Sequence, residues 1–266
     1  MALCLVLCGC DTKANLPAPE TSKEPTGNAA QADAFQAPDA DGFGRAAGLR
    51  YLEIVQGEKA DARLPMVVVI HGMGDRARAD WLDAIGVTLP ARFILPEAPN
   101  AYGDGYSWFG YKVRGDNPPG ALADGIADAA ERVARALEVL LKQRPTLGRP
   151  IVTGFSQGGM LSFALALRHP ELVELAQPIS GTLPEPLWPT ARAADGRQPP
   201  IRALHGTADE IVPIDGPRAL TAKLQALGYD ATLKEFSDIG HHVSGQMTSQ
   251  SHQTLDAVVQ ALAASR

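Results

Sequence analysis

Apolar residues along this chain follow two rhythms. The first is the short unbroken run. Leu64 to Gly72 reads LPMVVVIHG, a β-branched stretch with no polar alternation, as a strand buried on both faces requires. Leu49 to Val55, Arg92 to Leu95 before Pro96, and RPIVTGFS ending at Ser156 read as further strands. So do Leu172 to Ile179, Ile201 to Leu204 and Ala231 to Phe236. The second rhythm is helical. Leu122, Ile126, Val133, Leu137, Leu140 and Leu141 make one stripe over Ala121 to Leu141, closed by Pro145 and Gly148. The segment QGGMLSFALALRH after Ser156 reads as a helix, as do about Gly216 to Leu227 and about Ser249 to the end.

Strands that alternate with helices predict βαβ units. The expected fold class is therefore α/β, a mostly parallel central sheet with helices on both faces. No internal repeat is present. The proline-rich stretch from Thr182 to Pro200 predicts an excursion over the surface, long enough to narrow or lid a site.

Composition adds a soluble body and an unusual start. Of 266 residues, 45% are hydrophobic and 20% charged, enough for one large core. A net charge of -6 argues against nucleic acid or an anionic membrane surface as partner. Cys4, Cys8 and Cys10 are the only cysteines, so the body holds no disulfide and no thiolate metal site. The apolar run Ala2 to Leu7 is too short to span a bilayer. It ends Leu7-Cys8-Gly9-Cys10, which resembles the lipobox of a bacterial lipoprotein signal, with Cys10 the residue to be lipidated. No Lys or Arg precedes that run, a departure from the signal pattern. The expected division is a signal segment at 1–10, a disordered tether at 11–42 and a folded α/β domain at 43–266. That resemblance places the protein in a bacterial cell envelope, lipid-anchored and facing the periplasm or exterior. The alternative is a cytoplasmic protein with an apolar N-terminus.

In open α/β sheets the functional crevice forms from loops at the carboxyl ends of strands. Four such loops carry polar or glycine-rich sequence. GFSQGGM places Ser156 on a strand-to-helix turn, where Gly154 and Gly158 permit the strained backbone that exposes a nucleophile. HGTADEIVP places Asp209 just past a strand, where a carboxylate can accept an imidazole N–H; Glu210 and Asp215 are its local rivals. SDIGHHVSG offers His241 and His242, and either can serve as the base that a serine hydroxyl needs. HGMGD gives glycines that let a backbone amide face the crevice as an oxyanion donor, beside that of Gln157. A phosphate-binding loop fits HGMGD poorly, because the P-loop lysine and dinucleotide spacing are both absent; His71 reads as structural. Ser, Asp and His in that chain order are what an α/β-hydrolase fold would carry.

HGMGD, PEAPN with GYSWF, GFSQGGM, HGTADEIVPID and GHHVS together resemble the phospholipase/carboxylesterase group of serine hydrolases, which includes acyl-protein thioesterases. The resemblance runs from about Leu64 to the C-terminus. It implies Ser156 as nucleophile, Asp209 as acid, His241 in preference to His242 as base, and the amides of Met73 and Gln157 as the oxyanion hole. Tyr106, Trp108 and Phe109 are expected either to wall the pocket for an apolar acyl or aryl group or to be ordinary core aromatics. Many members carry an aspartate after the aromatic pair, whereas this chain has Gly110. No metal or organic cofactor is implied. The expected reaction is hydrolysis of small or lipid-like acyl esters through an acyl-enzyme. A thioesterase or acyltransferase on the same scaffold is an alternative, and a non-catalytic anchored binding protein is the rival from another class.

Overall fold

A computed structural model describes residues 34–85, 88–111, 117–192 and 196–265. Cys10 and the greater part of the expected tether lie outside the described residues. The strands, in chain order, begin with β1 (Phe35–Gln36), β2 (Phe43–Ala46), β3 (Leu49–Gln56), β4 (Met66–Ile70) and β5 (Ala91–Pro96). A small hairpin follows, β6 (Asn100–Tyr102) and β7 (Gly105–Ser107). The rest are β8 (Ile151–Phe155), β9 (Leu175–Ile179), β10 (Ile201–Gly206) and β11 (Ala231–Phe236). The helices are α1 (Trp81–Ile85), α2 (Ala121–Gln143), α3 (Gln157–Arg168), α4 (Asp215–Ala226) and α5 (Gly245–Ala264).

Nine strands form one sheet in the order β1-β2-β3-β5-β4-β8-β9-β10-β11. Pairing is antiparallel from β1 to β5 and parallel from β5 to β11. Side chains alternate across β4: Met66, Val68 and Ile70 join the core under α2, α3 and α4, while Val67 and Val69 join the one under α1 and α5. All five are buried, which is why this strand reads as an unbroken apolar run. Burying each such side chain contributes about 1.5–3 kcal/mol relative to leaving it in water.

The structured body starts earlier than residue 43. Phe35 and Gln36, inside the segment expected to be tether, pair with Ala46 and Arg45. The physical reason is local. Phe35 packs on the main core and lies under the Arg144 guanidinium, 4.9 Å from its ring centroid. Arg144 in turn makes a forked contact with Glu53 at 2.8–3.1 Å, and Glu53 also meets the buried Arg92.

Helix α5 begins at Gly245 rather than near Ser249, because Ser244 caps it by accepting the Met247 amide at 3.3 Å. The Thr182–Pro200 excursion is tied down at its start: Leu183 is buried, and the Trp188 indole donates to its carbonyl at 2.8 Å. None of the excursion's described residues lines the main cavity.

Candidate active site

Strand β4 has β5 on one side and β8 on the other, so the chain winds away in both directions from this point. A crevice opens at the carboxyl ends of β4 and β8, as such a switch point demands. The loop after β4 and the turn after β8 meet there.

Ser156 sits between β8 and α3 with φ 57° and ψ −115°, a conformation that L-residues rarely adopt and that costs about 1–3 kcal/mol. Close packing holds it. A Cβ on Gly158 would overlap the Ile70 carbonyl oxygen, and one on Gly159 would lie 2.6 Å from that of Ile179. The Ser156 amide is bonded across to the Ile179 carbonyl at 3.0 Å. The hydroxyl is thereby lifted above the sheet at the amino end of α3, where the helix dipole favours a developing anion.

Ser156 Oγ lies 2.9 Å from His241 Nε2, and His241 Nδ1 lies 2.8 Å from Asp209 Oδ2. Asp209 is buried at the end of β10, and its Oδ1 accepts the amides of Ile211 at 3.0 Å and Val212 at 2.9 Å. Burial alone would push its carboxyl up. The bonds from His241 and the Val212 amide, with the nearby His241 and His205 rings, hold it below the ordinary value. The Nδ1 proton of His241 therefore faces an anion, which leaves Nε2 free to accept from the serine hydroxyl. Phe155 packs on the imidazole at a centroid distance of 4.7 Å. His242 lines the same cavity but makes no contact with Ser156 or Asp209 among the described residues.

Met73 and Gln157 both line this cavity beside Ser156. Neither backbone amide takes part in the turn and loop hydrogen bonds among the described residues, so both remain for an incoming oxyanion. The cavity has a volume of about 880 Å³. Tyr111, Leu122, Met160 and Ile211 supply apolar wall on one side, with Trp81 and Val243 beside His241.

A serine, a histidine and an aspartate bonded in line at one cleft are groups suited to acyl transfer. A profile of the phospholipase/carboxylesterase family matches residues 49–259. The chain belongs to this family of carboxylic ester hydrolases. Acyl-protein thioesterase 1 of Gibberella zeae is 26% identical over 197 residues, covering 66% of this chain and 82% of that one. A protein of Oryza sativa subsp. japonica named as a probable inactive carboxylesterase is 28% identical over 203 residues, covering 69% and 82%. Among solved structures, esterase PE8 superposes with a TM-score of 0.66 at 27% identity, covering 77% of this chain and 97% of that one.

Three aromatic residues were candidate walls of this hydrolase's pocket, and only Phe109 lines it. Trp108 is buried behind the oxyanion loop, its indole donating to the His71 carbonyl at 2.9 Å. Tyr106 points to a separate hollow beside Arg45 and Glu97, and its backbone pairs with Gly74 and Asp75. Sequence reasoning missed Met160, Ile211, Trp81 and Tyr102 as lining residues. Met160 was within reach, since it stands one helical turn past the nucleophile. Ile211 adjoins the acid, but neither Trp81 nor Tyr102 belongs to a periodic pattern that would reveal it.

Two buried histidines flank the site without belonging to the relay. Burial lowers His71 despite its bond to the Gly72 carbonyl and the nearby Asp75 and Glu97 carboxylates. Burial also lowers His205, which bonds the Val212 carbonyl at 2.8 Å and lies near Asp209, His241 and Glu235. Both rings therefore take up a proton less readily in the folded protein than in the unfolded chain, where the ordinary value is 6.5. Below that pH the unfolded state binds more protons, so stability falls as pH drops. The slope from each histidine approaches about 1.4 kcal/mol per pH unit. Urea midpoints at pH 7.5 and 5.5 measure this; equal midpoints would contradict the downward shift of the two buried rings.

Proposed function

We propose that this protein hydrolyses apolar carboxylic esters through a covalent acyl-enzyme on Ser156. The observation that carries the reading is the continuous hydrogen-bonded line from Ser156 through His241 to Asp209 at 2.9 and 2.8 Å, with Ser156 and His241 lining a cleft of about 880 Å³. Ser156 Oγ attacks the ester carbonyl carbon as His241 Nε2 takes its proton. The carbonyl π electrons move to oxygen, which the amides of Met73 and Gln157 receive. Collapse expels the alcohol, protonated by His241, and leaves an ester between Ser156 and the acyl group. Water, deprotonated by the same histidine, then releases the acid and regenerates the serine. Asp209 fixes the imidazole and offsets its charge while it carries the second proton.

The apolar wall formed by Phe109, Tyr111, Leu122 and Met160 supports an acyl group of several carbons or an aryl group. The relatives include an acyl-protein thioesterase, so thioesters are the second substrate class to test. The test is turnover of p-nitrophenyl esters from acetyl to dodecanoyl, with a butyryl thioester beside them. Serine-dependent hydrolysis with an optimum beyond acetyl is expected, together with stoichiometric labelling of Ser156 by a fluorophosphonate. No turnover and no labelling would remove the enzymatic reading in favour of a binding protein on a hydrolase scaffold.

A further inference from the structure

We propose that Trp108 and His71 form a hydrogen-bonded brace joining the two halves of the oxyanion hole, so that Trp108 is a positioning residue and not a pocket wall. The proposal rests on the serine-hydrolase reading above and goes further, assigning roles to residues that touch no substrate.

The brace can be followed atom by atom. Gln157 supplies one oxyanion amide from its backbone, while its buried side chain turns the other way. There Oε1 accepts the Trp108 amide at 2.9 Å, and Nε2 donates to the Phe109 carbonyl at 3.3 Å, an oxygen that also accepts the Ser107 hydroxyl at 2.8 Å. Trp108 continues the line, since Nε1–H donates to the His71 carbonyl at 2.9 Å. The indole also packs against the imidazole, with centroids 5.4 Å apart. His71 Nδ1 then meets the Gly72 carbonyl at 2.7 Å.

The tautomer of His71 follows from its partners. The Ala98 amide donates to Nε2 at 3.1 Å, and a main-chain N–H can only donate. Nε2 is therefore the acceptor, and the ring proton sits on Nδ1, aimed at the Gly72 oxygen. The peptide joining Gly72 to Met73 is planar and trans. With its carbonyl turned toward the imidazole, its N–H faces the opposite way, and Gly72, Met73 and Ser156 line the same cavity. His71 thus helps set which way the Met73 amide points, together with the Asp75 amide, which donates to the same Gly72 oxygen at 3.3 Å, and Trp108 ties His71 to Gln157. A pair of donors lowers the barrier only when both are preset around one oxygen position, and such donors are each worth on the order of 10²–10³ in kcat. Trp108, His71 and Gln157 are all more than nine-tenths buried, so the brace is shielded from water that would compete for its bonds.

Trp108→Phe removes the indole N–H but keeps an aromatic ring, and Gln157→Met removes the amide head but keeps the length. Turnover of p-nitrophenyl butyrate is measured per active site, titrated with a fluorophosphonate, so that loss of folded protein does not count as loss of rate. Each variant is expected to lose roughly 10- to 100-fold in kcat, with KM within about twofold of wild type. Because both break one brace, the double variant should fall no more than about threefold below the weaker single. His71→Asn places a donor where Nδ1–H stood and should retain at least about tenfold more kcat than His71→Leu. Wild-type kcat per labelled site in Trp108→Phe and Gln157→Met, loss confined to KM, or equal activity of the two His71 variants would each overturn the brace. If the wild type itself neither turns over nor labels, the hydrolase reading fails and takes the brace with it. Wild-type turnover with unaffected variants removes the brace alone.

Discussion

Ser156→Ala is expected to lower kcat for p-nitrophenyl ester hydrolysis by roughly 10⁶-fold, the scale on which a triad fails when its nucleophile is lost. The hydroxyl lines the main cleft and lies 2.9 Å from the His241 Nε2 that would take its proton. Asp209→Asn should cost less, about 10⁴-fold, because an amide can still accept a bond but also favours the wrong tautomer of His241. Combining the two should add little to the serine change alone, since the three residues act as one unit. Steady-state rates with ester saturating decide this. A Ser156→Ala protein that keeps more than about a hundredth of the wild-type kcat would show that another group attacks the ester.

The second large effect lies in a residue without a side chain. Gly158→Ala would set a methyl group against the Ile70 carbonyl oxygen, with the His71 carbonyl oxygen only 3.0 Å away. Both are main-chain atoms at the end of a fully buried strand, so neither can swing aside as a flexible side chain would. Helix α3 must retreat from β4, and Ser156 cannot then hold its left-handed turn. A loss of about 4 kcal/mol is expected, or on the order of 10 °C in thermal midpoint for a domain of this size. Fluorophosphonate labelling should slow in parallel. A variant that melts within about 2 °C of wild type and labels at its rate would refute the packing argument.

Much of this architecture could be read before any coordinates. The run Met66–Ile70 could only be a doubly buried strand, and GFSQGGM between a strand and a helix could hardly avoid the strained turn. The order of Ser156, Asp209 and His241 past three strand ends predicted that the three would meet, and they do, at 2.9 and 2.8 Å. What escaped was set by partners distant in the chain. Phe35 looked like tether until Arg144, far along the chain, covered it. Hairpin β6–β7 has only three residues per strand, too few for alternation to show, and it is held by Gly74 and Asp75 from the oxyanion loop. Trp108 shares its composition with a pocket wall, and only the direction of its N–H separates the two roles. The choice between His241 and His242 turned on one residue of loop geometry, below what spacing can resolve.

The two margins of the sheet bear on how the protein behaves in a crowded solution. An unpaired strand edge is a template on which a second chain can grow, and fibrils begin there. On one margin β1 spans two residues, too short to recruit a partner strand in register. On the other, β11 reads ATLKEF, with Thr232, Lys234 and Glu235 facing water and Glu235 paired to Arg218 at 2.6 Å. Lysine and a fixed ion pair along an edge are the usual means of discouraging lateral growth. Among the described residues, both margins of the nine-stranded sheet thus carry features that oppose edge-to-edge pairing.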